Sequence, residues 1–137
     1  MIEAETPTEL ADAVQPGPVL ALEVNGRTFY ASLENNSSAE ALIEQLSSGP
    51  VELELHDYGS FEKVAALPWT LPRNDESITT VPGDVILYQG NQITIYYDEN
   101  TWSFTRLARI DGVTKEELLE TLGQGNVSVT FWVEWSE

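Results

Sequence analysis

Short runs of alternating apolar and polar residues, separated by turn signals, recur along most of this chain. The clearest turn signal is Asn25-Gly26, which lies between two such runs. Asn-Gly strongly favours a two-residue hairpin, because both central residues of a type I′ turn need a positive φ angle. We therefore expect Val19–Val24 and Arg27–Leu33 to pair as antiparallel strands.

Two segments instead have the apolar spacing of an amphipathic helix. Ser37 and Glu40 have the spacing of a capping box, in which the two residues satisfy each other's backbone amides, and they predict the start of the first helix. Thr114 and Glu117 predict the start of the second helix in the same way, and Gly123 predicts its end. Two single helices are too few to cover a parallel sheet.

Five further segments have strand patterns: Val51–Asp57, Asp84–Tyr88, Gln92–Tyr97, Ser103–Ile110 and Val127–Trp135. Residues 58–82 mix prolines with apolar side chains, and we interpret them as a long packed loop. The whole pattern predicts a mainly β fold, a closed or nearly closed antiparallel β-barrel of about eight strands with two capping helices, since closure removes exposed strand edges. We expect one domain over residues 19–137, after an N-terminal tail at residues 1–18.

The composition excludes several classes of function. The chain has 23 acidic and six basic residues, a formal net charge of −17, no cysteine and a single histidine, His56. Disulfides, thiol catalysis and cysteine zinc sites are therefore excluded, and one histidine argues against a Ser-His-Asp triad. Because the negative field repels phosphate groups, we expect no nucleic-acid or membrane partner. The first residues lack the pattern of a signal peptide, which predicts a cytoplasmic protein.

His56 shares one face of a predicted strand with Glu52 and Glu54. These residue types bind zinc, but successive side chains on one strand face are about 6.6 Å apart and do not converge on one ion. We predict a solvated face and no metal or other cofactor.

Lys63 is one of only two lysines and directly follows Glu62. It has two interpretations, a donor in a binding groove or a surface cation paired with Glu62. Trp69 and Trp102 lie in predicted loops or turns, where an aromatic side chain is accessible to a ligand.

Several strings occur in the order in which cyclophilins have them. Phe61-Glu62-Lys63-Val64 is similar to Phe-His-Arg-Val, Gly83-Asp84-Val85 resembles the downstream Gly-Asp-Phe, and residues 100–104 resemble the segment that presents an aromatic residue to the proline pocket. Leu33-Glu34-Asn35-Asn36 and Asp57-Tyr58 resemble more closely a group of small bacterial cyclophilin-like proteins that are not established as prolyl isomerases. The resemblance covers about residues 19–135 and implies the cyclophilin-like barrel.

The resemblance also implies a site. Lys63 occupies the position of the cyclophilin arginine that donates to the prolyl amide, and Glu62 that of the preceding histidine. Lysine lacks the planar fork of arginine, which disfavours isomerase activity. The implied shallow groove is lined by Phe61, Lys63, Trp69, Trp102 and Phe104, with Lys63 and Glu62 as candidate catalytic side chains.

Three functions remain open. The first is non-catalytic binding of a peptide or small molecule in the groove. The second is an enzyme, either a weak prolyl isomerase using Lys63 or a hydrolase using Glu62. The third is a structural or oligomer-forming role through Trp132 and Trp135 on the last strand.

Overall fold

A computed structural model describes residues 17–58 and 62–136. The elements follow in chain order as β1 (Gly17–Val24), β2 (Arg27–Leu33), α1 (Ser37–Leu46), β3 (Val51–Tyr58), β4 (Glu62–Ala66), β5 (Glu76–Thr79), β6 (Asp84–Tyr88), β7 (Gln92–Tyr96), β8 (Thr101–Ile110), α2 (Lys115–Leu122) and β9 (Val127–Ser136). Residues 1–16 of the predicted tail lie outside the described residues. The last two residues of that predicted tail, 17 and 18, belong to β1, which begins at Gly17.

Eight of the strands form a closed antiparallel barrel. Their order is β2-β1-β9-β3-β4-β7-β6-β8, and the pairing of β2 with β8 closes the ring. The remaining strand, β5, pairs with the first half of β8 outside the ring. The prediction of a mainly β, closed antiparallel barrel with two helices is therefore confirmed.

The buried apolar side chains form two clusters on opposite sides of the barrel wall. The larger cluster fills the interior and includes Ile95 of β7 and the helix residues Leu42 and Leu118. The smaller cluster lies on the outer side, where β5 and β8 contribute Ile78 and Phe104, and it includes Tyr96. Successive residues of a strand point to opposite faces, which is why Ile95 and Tyr96 belong to different clusters.

Two local predictions are confirmed in detail. Asn25 and Gly26 have φ angles of 51° and 82°, as a type I′ turn between β1 and β2 requires. Thr114 and Glu117 form the predicted capping box of α2, and Gly123 ends that helix with a φ angle of 73°.

The predicted start of α1 is wrong by one residue. Asn36, not Ser37, is the N-cap, and its side-chain oxygen accepts a hydrogen bond of 2.8 Å from the backbone amide of Ala39. Asn36 has the extended backbone conformation of a cap, whereas Ser37 is already helical. Asparagine and serine are about equally good caps, so residue type alone did not separate them.

The long loop predicted for residues 58–82 contains two strands, β4 and β5. Four consecutive residues of β4, from Glu62 to Ala65, are buried. Side chains on both faces of β4 are therefore largely buried, and the strand lacks the polar-apolar alternation that identified the others. β5 is a four-residue edge strand, too short for a periodic signal.

Gly83 is required by the close approach of two backbone segments next to β6. Its φ angle is +100°, and a Cβ atom at this position would lie 2.6 Å from the carbonyl oxygen of Ile110. The same two residues are joined by a hydrogen bond of 2.8 Å from the Ile110 amide to the Gly83 carbonyl. A side chain at position 83 would therefore separate the segments that hold β6 against β8.

We predict that Gly83→Ala lowers the free energy of unfolding by roughly 3 kcal/mol or more, because the positive φ angle and the backbone clash both oppose alanine. Gly112→Ala is the matched control, since Gly112 has a φ angle of +73° but no atom within 4 Å of the added Cβ. It should cost only about 1 kcal/mol. Equal losses in urea-induced unfolding would contradict the close-approach argument.

Candidate functional site

A groove of about 540 Å³ lies on the outer face of the barrel. Its walls come from β3, β4, β6, β7 and β8. The largest lining side chains are aromatic: Tyr58, Tyr88, Tyr96, Trp102 and Phe104. Concave sites with mainly apolar walls and a few polar groups are typical of small-molecule binding.

Strand alternation selects the residues that form the floor of this groove. On β4, Glu62 and Val64 point outward, and on β7 the residues directly opposite them are Tyr96 and Thr94. Directly opposed side chains on one face of an antiparallel pair have Cβ atoms about 5 Å apart. The four side chains therefore form one continuous patch on the outside of the barrel.

The aromatic wall is built around Phe104. Its ring centroid lies 5.4 Å from that of Tyr96, with the rings tilted, and 6.1 Å from that of Tyr88, in an edge-to-face arrangement. Both distances fall in the range that aromatic pairs prefer. Phe104 is 3% exposed, whereas Trp102, two residues earlier on the same face of β8, is 61% exposed. The wall therefore has a fixed base and an accessible upper edge.

The polar end of the groove is formed by Glu62, Tyr96 and Asn100. The Tyr96 hydroxyl is hydrogen-bonded to the Glu62 carboxylate and accepts a bond of 3.3 Å from Asn100 Nδ2. Burial raises the pKa of Glu62, although the bond from Tyr96 opposes this shift. Burial, together with the bond to Glu62, raises the pKa of Tyr96 as well. Glu62 is thus a carboxyl group whose negative charge is poorly solvated in the free protein.

Lys63 does not lie in this groove. Its side chain is fully buried, and its ammonium nitrogen lies 2.9 Å from Asp57 Oδ1 and donates to the Gly125 carbonyl oxygen at 2.6 Å. The expected partner was Glu62, but adjacent residues of a strand point to opposite faces. Asp57, in contrast, lies directly opposite Lys63 on β3 and shares its face.

The Lys63–Asp57 pair holds the α2–β9 loop against one end of the barrel. Asp57 Oδ2 accepts a hydrogen bond of 2.9 Å from the Gly125 amide, and the Tyr97 hydroxyl donates to Oδ1 at 3.2 Å. Partial burial raises the pKa of Asp57, but the bonds from Lys63 and Gly125 outweigh that effect, so this pKa lies below its ordinary value. Burial and the nearby Asp57 charge raise the pKa of Tyr97 to about 12.

The other residues predicted to line the groove do not all lie in it. Trp102 and Phe104 line the groove, whereas Trp69 packs against the interior cluster. Phe61 lies outside the described residues. The lining residues that sequence reasoning missed include Val64 and Tyr96. Period-two alternation along β7 was the available signal for Tyr96, whereas the sequence of β4 has no alternation that could identify Val64.

Ionic groups outside the groove are explained by local pairing. The buried carboxylate of Asp84 forms ion pairs with Arg109 at 2.7 Å and with Arg106 at 3.2 Å. Within residues 17–58 and 62–136, no group of three or more histidine, aspartate or glutamate side chains is arranged to hold a metal ion. No helix in this part of the chain has the length and apolar content needed to cross a membrane.

The sequence matches the model of the Cyclophilin-like family over residues 22–132, which is most of the chain. The chain belongs to the cyclophilin-like family. This cyclophilin-like barrel is similar to the structure of McbB in complex with tryptophan, with a TM-score of 0.60 and 18% sequence identity over 82% of this chain. The chain spans 44% of the McbB chain, so the likeness concerns the fold of one part of that protein. Comparison with curated protein sequences gives no significant match.

We predict that Lys63→Met lowers the free energy of unfolding at neutral pH by about 1–3 kcal/mol, because it leaves Asp57 without its cationic partner and removes the ammonium donor of the Gly125 carbonyl. Asp57 has a lowered pKa in the folded state, so the stability from this pair is present above its ordinary pKa and is lost as the pH falls through the folded value. The difference between the variant and the wild type should therefore shrink in acid.

The control is Lys115→Met, which breaks the exposed Lys115–Asp98 pair of 2.7 Å. This change should cost less than about 1 kcal/mol. Urea-induced unfolding, followed by far-UV circular dichroism at several pH values, measures both effects. A Lys63→Met protein as stable as the wild type at neutral pH would show that the buried pair does not hold the loop.

Proposed function

We propose that this cyclophilin-like domain binds a small molecule in the outer groove without transforming it chemically. The observation that carries the proposal is the combination of five aromatic lining side chains with one polar end at Glu62, Tyr96 and Asn100. Apolar walls supply most of the binding free energy, whereas a few placed polar groups orient the ligand. The groove has both parts.

The size and stiffness of the groove support a small ligand. Its volume of about 540 Å³ is within the range of pockets that hold drug-sized molecules. The outer cluster and the β4–β7 pairing fix the floor before any ligand arrives, which reduces the entropy lost on binding. Trp102 is an exposed lining ring that can close over a bound molecule.

The comparison with McbB supports a first choice of probe. That protein has been solved in complex with tryptophan, and it shares the barrel fold at low sequence identity. A planar indole ring also suits a groove whose walls are aromatic rings, because such rings stack offset or edge to face. Indole derivatives are therefore the ligands with which we would begin.

The enzyme alternatives have less support. The Lys63 ammonium, the expected donor of a prolyl isomerase, is fully buried and paired with Asp57. Glu62 lies in the groove, but the Tyr96 hydroxyl is hydrogen-bonded to its carboxylate, so the hydrolase alternative rests on this one carboxyl group alone. The oligomer hypothesis stays a prediction; Trp135 is 66% exposed, and the Trp132 indole donates to Glu134 at 2.9 Å.

We predict that Trp102→Ala weakens the binding of an indole probe by roughly 5- to 100-fold, because truncating an aromatic anchor of a binding site typically costs about 1–3 kcal/mol. Trp135→Ala is the matched control, since Trp135 is equally exposed but lies outside the groove. Isothermal titration calorimetry with both variants and the wild type measures the effect. Equal affinities for all three proteins would argue against ligand binding in this groove.

We also predict that the wild-type protein does not accelerate cis-trans isomerisation of a proline peptide above the spontaneous rate, because its buried Lys63 cannot reach a substrate amide. A protease-coupled assay on a peptide containing one X-Pro bond provides the measurement. A rate that rises in proportion to protein concentration, and that survives further purification, would restore the isomerase interpretation.

A further inference from the structure

The described lining of the outer groove carries one carboxylate and no permanent positive charge. Glu62 is the only acidic side chain among these lining residues, and neither lysine nor arginine contributes to them. Glu62 is 8% exposed, so its carboxylate is largely removed from water. A ligand with a negative charge would meet this group at short range and with little screening.

The hydrogen bonds at Glu62 leave its carboxylate able to accept further donors. Tyr96 supplies one hydrogen bond, and an ionised carboxylate can accept about four. Burial raises the pKa of Glu62, which means that its charge lacks full compensation in the free protein. A ligand ammonium group placed beside it would supply both the missing positive charge and up to three N–H donors.

The aromatic wall provides a second attraction for a cation. Tyr88 and Tyr96 each pack against Phe104, and Tyr96 is hydrogen-bonded to Glu62. The faces of aromatic rings attract positive charge through their quadrupoles. The net charge of −17 acts over a longer range and raises the local concentration of cations around the protein. Local chemistry and the overall field therefore favour the same ligand charge.

We infer that the groove selects monocationic amines attached to a flat aromatic body, with the ammonium against Glu62 and the ring on the wall formed by Trp102 and Phe104. This inference rests on the proposed function, because it requires that the groove be a ligand site. It adds the chemical class of the ligand and assigns Glu62 as the residue that determines specificity.

Three probes with the same ring and nearly the same side chain test the inference on the wild-type protein. Tryptamine carries an ammonium group, tryptophol a neutral hydroxyl and indole-3-propionate a carboxylate. We expect tryptamine to bind roughly tenfold or more tightly than tryptophol, as a charge-assisted hydrogen bond would produce, and indole-3-propionate to bind most weakly. Calorimetric titrations at one ionic strength measure the three dissociation constants.

Glu62→Gln should abolish the preference for tryptamine over tryptophol while both ligands still bind. Glu54→Gln is the matched control, because it removes the same charge from an exposed position of β3 outside the groove. If the preference were due only to the net charge of the protein, both variants would reduce it equally. Far-UV circular dichroism checks that each variant is folded. If a variant does not fold, the comparison of the three probes on the wild-type protein still tests the inference.

The affinity for tryptamine should also depend on pH. Burial raises the pKa of Glu62, so its carboxylate takes up a proton, and the affinity for tryptamine falls, at a higher pH than for an ordinary glutamate as the solution is acidified, whereas an alkylammonium stays charged throughout. The titratable groups that line the groove around Glu62 are His56 and Tyr58 on β3, Tyr88 on β6 and Tyr96 on β7. Of these residue types, only histidine has a positively charged form. His56→Gln should therefore keep the pH dependence, and Glu62→Gln should lose it.

The outcomes separate this inference from the proposed function. If tryptophol or indole-3-propionate binds as tightly as tryptamine, and Trp102→Ala weakens them all, the groove is a ligand site but the inferred selection of cations is wrong. If none of the three binds at millimolar concentration, the inference is overturned, and indole derivatives are excluded as ligands. If tryptamine binds and Trp102→Ala leaves its affinity unchanged, both the inference and the proposed site are wrong.

Discussion

Strand β8 is hydrogen-bonded to three other strands, and both the barrel and the groove depend on this shared pairing. Its C-terminal half pairs with β2 at Ala31–Ile110 and closes the ring. Its middle pairs with β6, and the register of this pairing shifts between Val85 and Ile86. Its N-terminal half pairs with β5 outside the ring. One ten-residue strand therefore closes the barrel and supplies the aromatic wall of the groove.

A buried charge cluster holds β8 in this position. Asp84, which is fully buried at the start of β6, binds Arg106 and Arg109, both from β8. A buried carboxylate is costly unless it is paired, so losing either arginine would favour separation of the two strands. Gly83, immediately before Asp84, allows the backbones to approach closely enough for these contacts. The register of β8, and with it the place of Phe104 and Trp102, follows from this arrangement.

Closure of the barrel also explains why the candidate site is on the outside. An eight-stranded barrel has an interior just wide enough for its own side chains, and the apolar cluster around Leu20, Leu107 and Ile95 fills it. The interior therefore leaves no room for a ligand, whereas the proposed groove lies on the outer face and includes Trp102 and Phe104 of β8, the strand with which β5 pairs. Lys63, at the end of the interior, has a structural role in anchoring Gly125.

Local patterns in the sequence determined much of this fold and a smaller part of its site. The turn at Asn25-Gly26, the capping box at Thr114 and the alternating strands were predictable, because each depends on residues close together in the chain. Only the tertiary structure decided which face of β4 is interior, and so assigned Lys63 to the barrel and Glu62 to the groove. A strand covered on both faces has no alternation to read, and a shift of one residue exchanges its two faces completely.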